Sequence, residues 1–200
     1  HRDLHSFPTR RSSDLAIKSL ELKTMLPDIP VRFIHDANAF LLGELDMGAG
    51  RGHSRVGGIT LGTGLGAAVV RDGVLLCNEL GSPAASVSLW NKPFRDGTVE
   101  DYISSRALLR EYPADNVKSI AEAALRGDTK AIAVWHEFGE ALSHVLSAWT
   151  ETHKLERIII GGQIANDLEL FAAPLKHLPI VRAQLGTRAA LYGAAALWRK

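Results

Sequence analysis

A glycine-rich stretch between two β-type runs is the first candidate for chemistry. Residues 62–66 read Gly-Thr-Gly-Leu-Gly within "ITLGTGLGAAVV", and both flanking runs are typical of β-strands. Glycine permits positive φ and lets backbone N–H groups gather around an anion, and a threonine hydroxyl adds a donor. Dinucleotide-binding and Walker loops lead into a helix, whereas this stretch re-enters a strand. It is therefore predicted to be a hairpin turn that binds phosphate, with a plain β-turn as the alternative.

Asp36 is the second candidate, an acid between a short apolar run and a helical pattern. The run "VRFI" (31–34) predicts a buried strand, and "ANAFLLGELDM" (37–47) predicts a helix with Asp36 as its N-cap. Free N–H groups at a helix start favour the ionised carboxylate. Such a carboxylate can accept a hydroxyl proton during phosphoryl transfer. Asp36 is thus a catalytic base, a structural cap, or both.

Two weaker candidates lie further along the chain. Gly161 and Gly162 follow the strand-like run "LERIII", where missing side chains would let a flat ligand such as adenine lie against the backbone. Close helix–strand packing explains the same glycines. Glu100 stands at a helix start and could accept hydrogen bonds from sugar hydroxyls, or could simply be an acid favoured by the helix dipole.

The elements that must position these residues alternate between strands and helices. The pattern predicts a hairpin from strands 55–61 and 67–71, an irregular stretch over 77–98, strands 155–160 and 180–184, and helices over 16–26, 99–110, 117–126, 164–173 and 187–198. A long amphipathic core helix follows "RGD". Strands mixed with helices, together with a hairpin, predict an α/β fold of three α/β/α layers with a mixed sheet.

Composition excludes several classes of function. The chain has 200 residues, is 46% hydrophobic and carries a net charge of +1. Beyond the first dozen residues no basic cluster with interleaved aromatics occurs, so nucleic acid is not an expected partner. No apolar run reaches the roughly 18–20 residues that span a bilayer. The single cysteine, Cys77, allows neither an internal disulfide nor a multi-thiolate zinc site, which indicates a reducing, cytoplasmic compartment.

Polar residues also recur at helical spacing on the long helix. His136, Glu140 and His144 lie four residues apart. Such i, i+4 polar residues usually form a solvated face, so this interpretation is favoured over a metal site.

The first fifteen residues differ in character from the rest. "HRDLHSFPTRRSSDL" is basic and serine-rich, and it has neither hydrophobic period nor initiator methionine. It resembles translated sequencing-adapter sequence and is predicted to be a non-native tail, with a genuine basic arm as the alternative. On the adapter interpretation the natural sequence begins in mid-domain near Ala16, and something upstream has been lost.

Six motifs in order resemble the ROK family of repressors and sugar kinases, within the actin-like ATPase superfamily. They are "FIHDANAFLLGE", "GGITLGTGLGAAVVRDG", "GTVEDYISSRAL", "RGDTKAIAVWHEFGEAL", "LERIIIGGQIA" and "RAQLGTRAALYGAAAL". The resemblance covers residues 16–200. It implies two RNase H-like lobes with ATP and sugar in the cleft between them. Residues 16–50 would end the first lobe and carry the catalytic acid, and residues 51–200 would form the C-terminal lobe.

The resemblance also implies roles for individual residues. Asp36 would be the base that deprotonates a sugar hydroxyl, and the substrate-binding residues would be His35, Asn38 and Glu100. ATP phosphates would be cradled by Gly62, Thr63 and Gly64, and the adenosine would be flanked by Gly161 and Gly162. The reaction would be in-line transfer of the γ-phosphoryl group to a hexose or hexose derivative, with Mg²⁺ neutralising charge. Family members commonly form dimers, so a homodimer is a further expectation.

Three departures from the family pattern limit these expectations. His35 stands where the family has asparagine, and imidazole cannot reproduce an amide's combined donor and acceptor. The family's zinc motif is absent, so no structural zinc is expected. The Asp-x-Gly-Gly-Thr loop of the first lobe does not occur, so the isolated chain is expected to be inactive. The sugar-sensing part of a ROK repressor and a catalytically dead homologue remain alternatives to a kinase.

Overall fold

The structure, a computed structural model, describes residue 25 and residues 27–198. The strands are β1 (Arg55–Leu61), β2 (Leu65–Arg71), β3 (Val74–Leu75), β4 (Pro93–Phe94), β5 (Gly97–Thr98), β6 (Arg157–Gly161) and β7 (Ile180–Arg182). The α-helices are α1 (Asp36–Met47), α2 (Val99–Tyr102), α3 (Ser105–Glu111), α4 (Val117–Leu125), α5 (Thr129–His153), α6 (Leu168–Phe171) and α7 (Ala189–Ala196). The tail over 1–15 and, apart from Met25, the helix predicted over 16–26 lie outside the described residues.

Five strands form one mixed sheet in the order β3-β2-β1-β6-β7. β1 runs antiparallel to β2 and parallel to β6, and β6 runs parallel to β7. Alternate residues of β6 contact different helical layers: Ile158 and Ile160 face one hydrophobic core, and Ile159 faces the other. A strand buried on both faces needs a continuous apolar run, which explains the sequence "RIII".

Helices cover both faces of this sheet, so the predicted three-layer α/β/α architecture is confirmed. On one face the long helix α5 packs through apolar residues spaced three and four apart. Its Trp135 stacks on Phe171 of α6, with ring centroids 5.6 Å apart. On the other face α1 and α7 pack against the sheet through Phe40, Leu41 and Ala189. No helix in the described part of the chain combines the length and the apolar character that crossing a membrane requires.

Helices α1 and α7 touch backbone to backbone. A Cβ atom at Gly43 would overlap the carbonyl oxygen of Ala189, and one at Gly193 would overlap the carbonyl oxygen of Ala39. The two glycines therefore allow an approach that any side chain would block.

We expect Gly193→Ala to lower the free energy of unfolding by about 2 kcal/mol, because the added methyl group has no space between the helices. Urea denaturation measures this loss. Ala195→Ser is the matched control, since it adds one heavy atom to an exposed position of the same helix. Equal losses in the two variants would show that the close approach contributes nothing.

Glu44 joins three segments in the interior beside α1. Its side chain is fully buried, and Oε2 accepts hydrogen bonds from the N–H groups of Ala49 at 2.8 Å and Gln184 at 3.1 Å. Oε1 accepts from the N–H of Leu185 at 2.8 Å. Three backbone donors thus replace water around one carboxylate, which fixes the end of α1 against the loop after β7.

The structure corrects several predicted boundaries. Residues 31–34 form no strand, because they are only partly buried and have no partner in the sheet. β2 begins at Leu65, so the turn spans 62–64 rather than 62–66. The pattern over 99–110 is divided between α2 and α3. The helix predicted over 164–173 is a 3₁₀ turn followed by the four-residue α6.

Asp36 is the first residue of α1 and not its N-cap, because His35 occupies the cap position. The boundary proposed between residues 50 and 51 stays a prediction.

Candidate active site

A cavity of about 480 Å³, here called the main cavity, opens where β1 and β6 end. Its lining residues are His35, Asp36, Thr60, Leu61, Gly62, Thr63, Gly64, Leu65, Gly66, Trp90, Glu100, Gly162 and Gln163. The carboxyl ends of parallel strands are the usual ligand-binding edge of an α/β sheet. The structure therefore brings the predicted acid and the predicted glycine turn to one hollow.

Asp36 enters the main cavity from the start of α1. Its side chain is 85% exposed, and its Oδ1 lies 2.9 Å from Nδ1 of His35 and 2.7 Å from the N–H of Ala37. In the tautomer that carries its proton on Nδ1, His35 donates to this carboxylate, and in the other tautomer Nδ1 accepts from the N–H of Ala37 at 3.3 Å. The hydrogen bond from His35, opposed by partial burial and helped by the His35 charge and the Ala37 N–H, lowers the pKa of Asp36. The carboxylate is thus ionised at neutral pH.

We expect His35→Ala to raise the pKa of Asp36 toward its ordinary value, because the variant loses the principal hydrogen bond that favours the ionised form. In the native chain the carboxylate takes up its proton below the ordinary range, so the titration should move to higher pH in the variant. A carboxyl ¹³C NMR titration measures this shift. His53→Ala is the control, since the His53 ring contacts the carbonyl of Arg51 through Nδ1 at 3.0 Å and does not line the main cavity. An unchanged titration of Asp36 in His35→Ala would contradict the assignment.

The glycine turn is held from outside by α2 and α3. Its first carbonyl, on Gly62, accepts a hydrogen bond from the N–H of Ser105 at 2.8 Å. Oε2 of Glu100 accepts from the N–H of Leu65 at 3.0 Å, and Oε1 pairs with Arg106 at 2.6 Å. Glu100 therefore braces the turn and still faces the main cavity, with 22% of its side chain exposed.

The glycine turn does not use the positive φ that glycine permits, and steric space explains only some of its glycines. None of Gly62, Gly64 and Gly66 has positive φ. A Cβ at Gly64 would lie 2.6 Å from the Glu100 carboxylate, whereas one at Gly62 would meet no atom within 4 Å. Gly64 thus allows the close approach of Glu100, and a Cβ at this position would displace the Glu100 carboxylate.

Gly161 ends β6 and Gly162 follows it, and of the two only Gly162 lines the main cavity. Gly162 has a φ of +90°, and a Cβ there would overlap the carbonyl oxygen of Leu61. Gly161 is buried in β6, where a Cβ would lie 2.5 Å from the ring of Phe40. Its absent side chain makes room for α1, which corresponds to the packing alternative.

Asn38 also lies outside the lining of the main cavity. It follows Asp36 by two residues, its side chain is fully buried, and its Nδ2 donates to the carbonyl oxygen of Gly81 at 2.9 Å. Within the described residues its Oδ1 has no hydrogen-bond partner. This position suits a residue that orders the site from behind.

A second cavity of about 900 Å³, the side cavity, shares Gly62, Thr63 and Gln163 with the main cavity. Its further lining residues are Ser105, Leu109, Asp115, Asn116, Val117, Lys118, Ile164, Asn166 and Asp167. Burial, together with the charge of Glu169, raises the pKa of Asp167. The two cavities meet at the glycine turn. A smaller cavity of about 90 Å³ beside Tyr102 shares no lining residue with either.

Trp90 is a lining residue that the sequence analysis did not single out. It is 51% exposed, it stands in the irregular stretch before β4, and its carbonyl accepts a hydrogen bond from the N–H of Glu100 at 3.0 Å. The available signal was a tryptophan in a segment with no helical or strand period. No cluster of three or more potential metal-ligating side chains occurs among the residues described.

Comparison with known proteins identifies the family. The model of the ROK family matches residues 11–85 and 93–200. The chain belongs to the ROK family. The segment between the two matched ranges of this ROK protein contains Trp90.

Relatives of this ROK protein include glucokinases. A glucokinase from Thermotoga maritima is 31% identical over 169 residues, which are 72% of this chain and 53% of that enzyme. The chain thus spans about half the length of that relative. A ROK glucokinase from Streptomyces griseus, solved with glucose and AMPPNP, superposes with a TM-score of 0.71 at 28% identity, covering 88% of this chain and 70% of that one.

A ROK transcriptional regulator, a homologue of the E. coli MLC protein, superposes with a TM-score of 0.75 at 21% identity, covering 88% of this chain and 53% of that one. This second likeness shows the fold alone. The comparisons confirm the predicted actin-like ATPase fold of this ROK protein.

Proposed function

We propose that this ROK protein supplies the catalytic base and a phosphate-binding turn of an ATP-dependent sugar kinase. The observation that carries the proposal is that Asp36 and the turn over 62–64 line one cavity. Relatives named glucokinase and N-acetylgalactosamine kinase support the same reaction class. The acceptor would be a hexose or a hexose derivative.

In the proposed reaction the ionised carboxylate of Asp36 accepts the proton of one sugar hydroxyl. The hydroxyl oxygen forms a bond to the γ-phosphorus of ATP while the bond from that phosphorus to the β,γ-bridging oxygen breaks. ADP leaves with the electron pair of the broken bond, and the proton stays on Asp36 until solvent removes it. Positioning and electrostatic stabilisation provide most of the acceleration in such transfers.

ATP would extend across both cavities. Its phosphates would lie at the turn, where the N–H groups of Thr63 and Gly64 and the hydroxyl of Thr63 could donate to them, whereas the N–H of Gly62 already donates to the carbonyl of Gly64 at 3.1 Å. Its adenosine would occupy the side cavity, which begins at Gly62 and is large enough for a nucleoside. The described residues offer no dedicated metal cluster. A Mg²⁺ ion would therefore be held mainly by the phosphates, and it would neutralise charge on them.

The sugar would lie between Asp36, Glu100 and the ring of Trp90. The Glu100 carboxylate accepts one hydrogen bond from the N–H of Leu65 and one from Arg106. Its remaining lone pairs can accept from a sugar hydroxyl group. His35 would contact the sugar through Nε2, since Nδ1 faces Asp36. The exposed face of Trp90 suits the apolar face of a pyranose ring.

Two experiments test this proposal at separate levels. AMPPNP with Mg²⁺, added to the isotopically labelled chain, is expected to shift the amide NMR signals of residues 62–64. The chain joined to the first lobe of the T. maritima glucokinase is expected to release ADP from ATP when a hexose is present. Glucose, N-acetylglucosamine and N-acetylgalactosamine form the acceptor panel. Unshifted turn signals and no sugar-dependent ADP release would overturn the proposal.

A sugar-sensing domain would give a different pattern in the same experiments. It would bind a sugar from the panel, and it would release no ADP in the joined protein. The ROK regulator with this fold makes that outcome worth measuring.

A further inference from the structure

One carbonyl oxygen binds both sides of Asp36 at the start of α1. The oxygen of Gly81 accepts a hydrogen bond from the backbone N–H of His35 at 3.1 Å and another from Nδ2 of Asn38 at 2.9 Å. These donors lie one residue before and two residues after Asp36. The acid is therefore bracketed by two bonds to a single atom.

The loop that presents this carbonyl is itself closed by hydrogen bonds. Oδ1 of Asn78 accepts from the N–H groups of Leu80 and Ser82, both at 3.0 Å. The backbone N–H of Asn78 donates to the carbonyl of Ser82 at 2.8 Å, and the N–H of Gly81 donates to the carbonyl of Asn78 at 3.0 Å. Four bonds within five residues fix the direction of the Gly81 carbonyl.

Glycine is required at the centre of this loop. Gly81 has a φ of +73°, and a Cβ there would lie 2.7 Å from the carbonyl oxygen of Phe33. Phe33 belongs to the segment that leads into His35. The loop thus packs directly on the backbone that approaches the acid, and a larger residue would push the two segments apart.

Asn38 makes the contact costly to lose. Its side chain is fully buried, and its Nδ2 has the Gly81 carbonyl as acceptor. A buried amide group left without its acceptor costs free energy, so the pair resists separation.

We propose that Gly81 is a positioning residue that sets the orientation of Asp36 through His35 and Asn38. None of residues 78–82 lines the main cavity, so the loop acts on the acid from behind. The inference rests on the proposed function for its catalytic meaning. Whether the loop over 78–82 fixes residues 35–38 can be measured without any enzymatic activity.

Gly81→Ala is the principal variant, and Gly73→Ala is its matched control. Gly73 has a φ of +79°, and a Cβ there would meet no atom within 4 Å, so both variants carry the same dihedral penalty. In Gly81→Ala the amide of His35 should exchange its hydrogen about tenfold faster relative to the control, as expected for the loss of one to two hydrogen bonds. Amide hydrogen exchange followed by NMR measures this ratio.

The titration of Asp36 gives a readout that general loosening of the fold would not move. When His35 is released, the pKa of the Asp36 carboxyl should rise toward its ordinary value, because the hydrogen bond from His35 weakens. The other titratable residues that line the main cavity are His35 and Glu100, and the substitution replaces neither of them. Carboxyl ¹³C NMR follows this titration in both glycine variants.

A second pair of variants covers the case in which Gly81→Ala does not fold. Asn78→Ala removes two of the hydrogen bonds that close the loop, and Leu80→Ala changes an exposed side chain of the same loop. The proposal expects faster exchange at His35 and a raised pKa at Asp36 in Asn78→Ala alone. Equal behaviour of the two members in each pair that folds would overturn it.

Kinetics in the protein joined to the first lobe separate this inference from the proposed function. A misplaced acid should lower kcat about tenfold in Gly81→Ala and leave the KM for ATP within twofold. If no sugar is phosphorylated by the unmodified joined protein, the proposed function fails while the exchange and titration data still decide the positioning role. If transfer occurs and neither NMR readout differs from the control, only the positioning role fails.

Discussion

Asp36→Asn is expected to slow phosphoryl transfer by about 10²–10⁴-fold in the protein joined to a first lobe, because an amide cannot accept the hydroxyl proton. The substitution keeps the size of the side chain and one oxygen that can accept from the Ala37 N–H. The binding of AMPPNP and of sugar should therefore change by less than about threefold, and the loss should fall on kcat. Sugar-dependent ADP release with varied acceptor and ATP concentrations measures both parameters.

Asp28→Asn is the matched control for this substitution. Asp28 is exposed, lies before α1 and contributes to neither cavity, so its replacement should leave kcat and KM unchanged. If Asp36→Asn retained more than a tenth of the native kcat, the base would have to be another residue. Glu100 would then be the remaining carboxylate on the main cavity.

Glu44→Ala is expected to lower the free energy of unfolding by about 4 kcal/mol, because three backbone hydrogen bonds, one buried and two partly buried, lose their acceptor at once. At about 2–4 °C per kcal/mol for a domain of this size, the melting temperature should fall by about 10 °C. The N–H groups belong to Ala49, Gln184 and Leu185, which lie in two separate loops. Thermal and urea denaturation measure the loss.

Glu156→Ala provides a control of the same chemistry in a wet environment. Its carboxylate also accepts from backbone N–H groups, those of Ser54 at 3.1 Å and Arg55 at 3.4 Å, but the residue is exposed. Water can replace the lost acceptor there, so the expected loss is below about 1 kcal/mol. Similar losses in the two variants would show that burial adds nothing to the value of Glu44.

The elements that were predicted correctly are those whose hydrophobic spacing along the chain shows which face is buried. The long helix α5 was predicted because its apolar residues recur at three and four, and the hairpin because two strand-like runs flank a short glycine turn. Boundaries shifted where a neighbour decided them. The cap lies at His35 rather than at the predicted Asp36, and the N–H of Ala37 lies within hydrogen-bond distance of both side chains.

Long-range contacts explain what the sequence could not reveal about the site. Glu100 accepts a hydrogen bond from the N–H of Leu65, 35 residues away. Asn38 donates one to the carbonyl of Gly81, 43 residues away. No period or turn signal links such pairs. Nothing local distinguishes Glu44 from other polar residues of a helical pattern, because two of its three partners lie about 140 residues downstream.

The glycine contact between α1 and α7 makes the packing of the helix that begins at Asp36 depend on a segment that is synthesised much later. The ribosome delivers the helix that carries Asp36 before its packing partner, Ala189–Ala196, which emerges more than a hundred residues later. Until then the groove of the nascent α1 at Gly43, which α7 later fills, stays uncovered. Contacts between segments so far apart in the sequence form slowly. A chain released before that point would expose this groove, and it would be a natural target for chaperones and proteases.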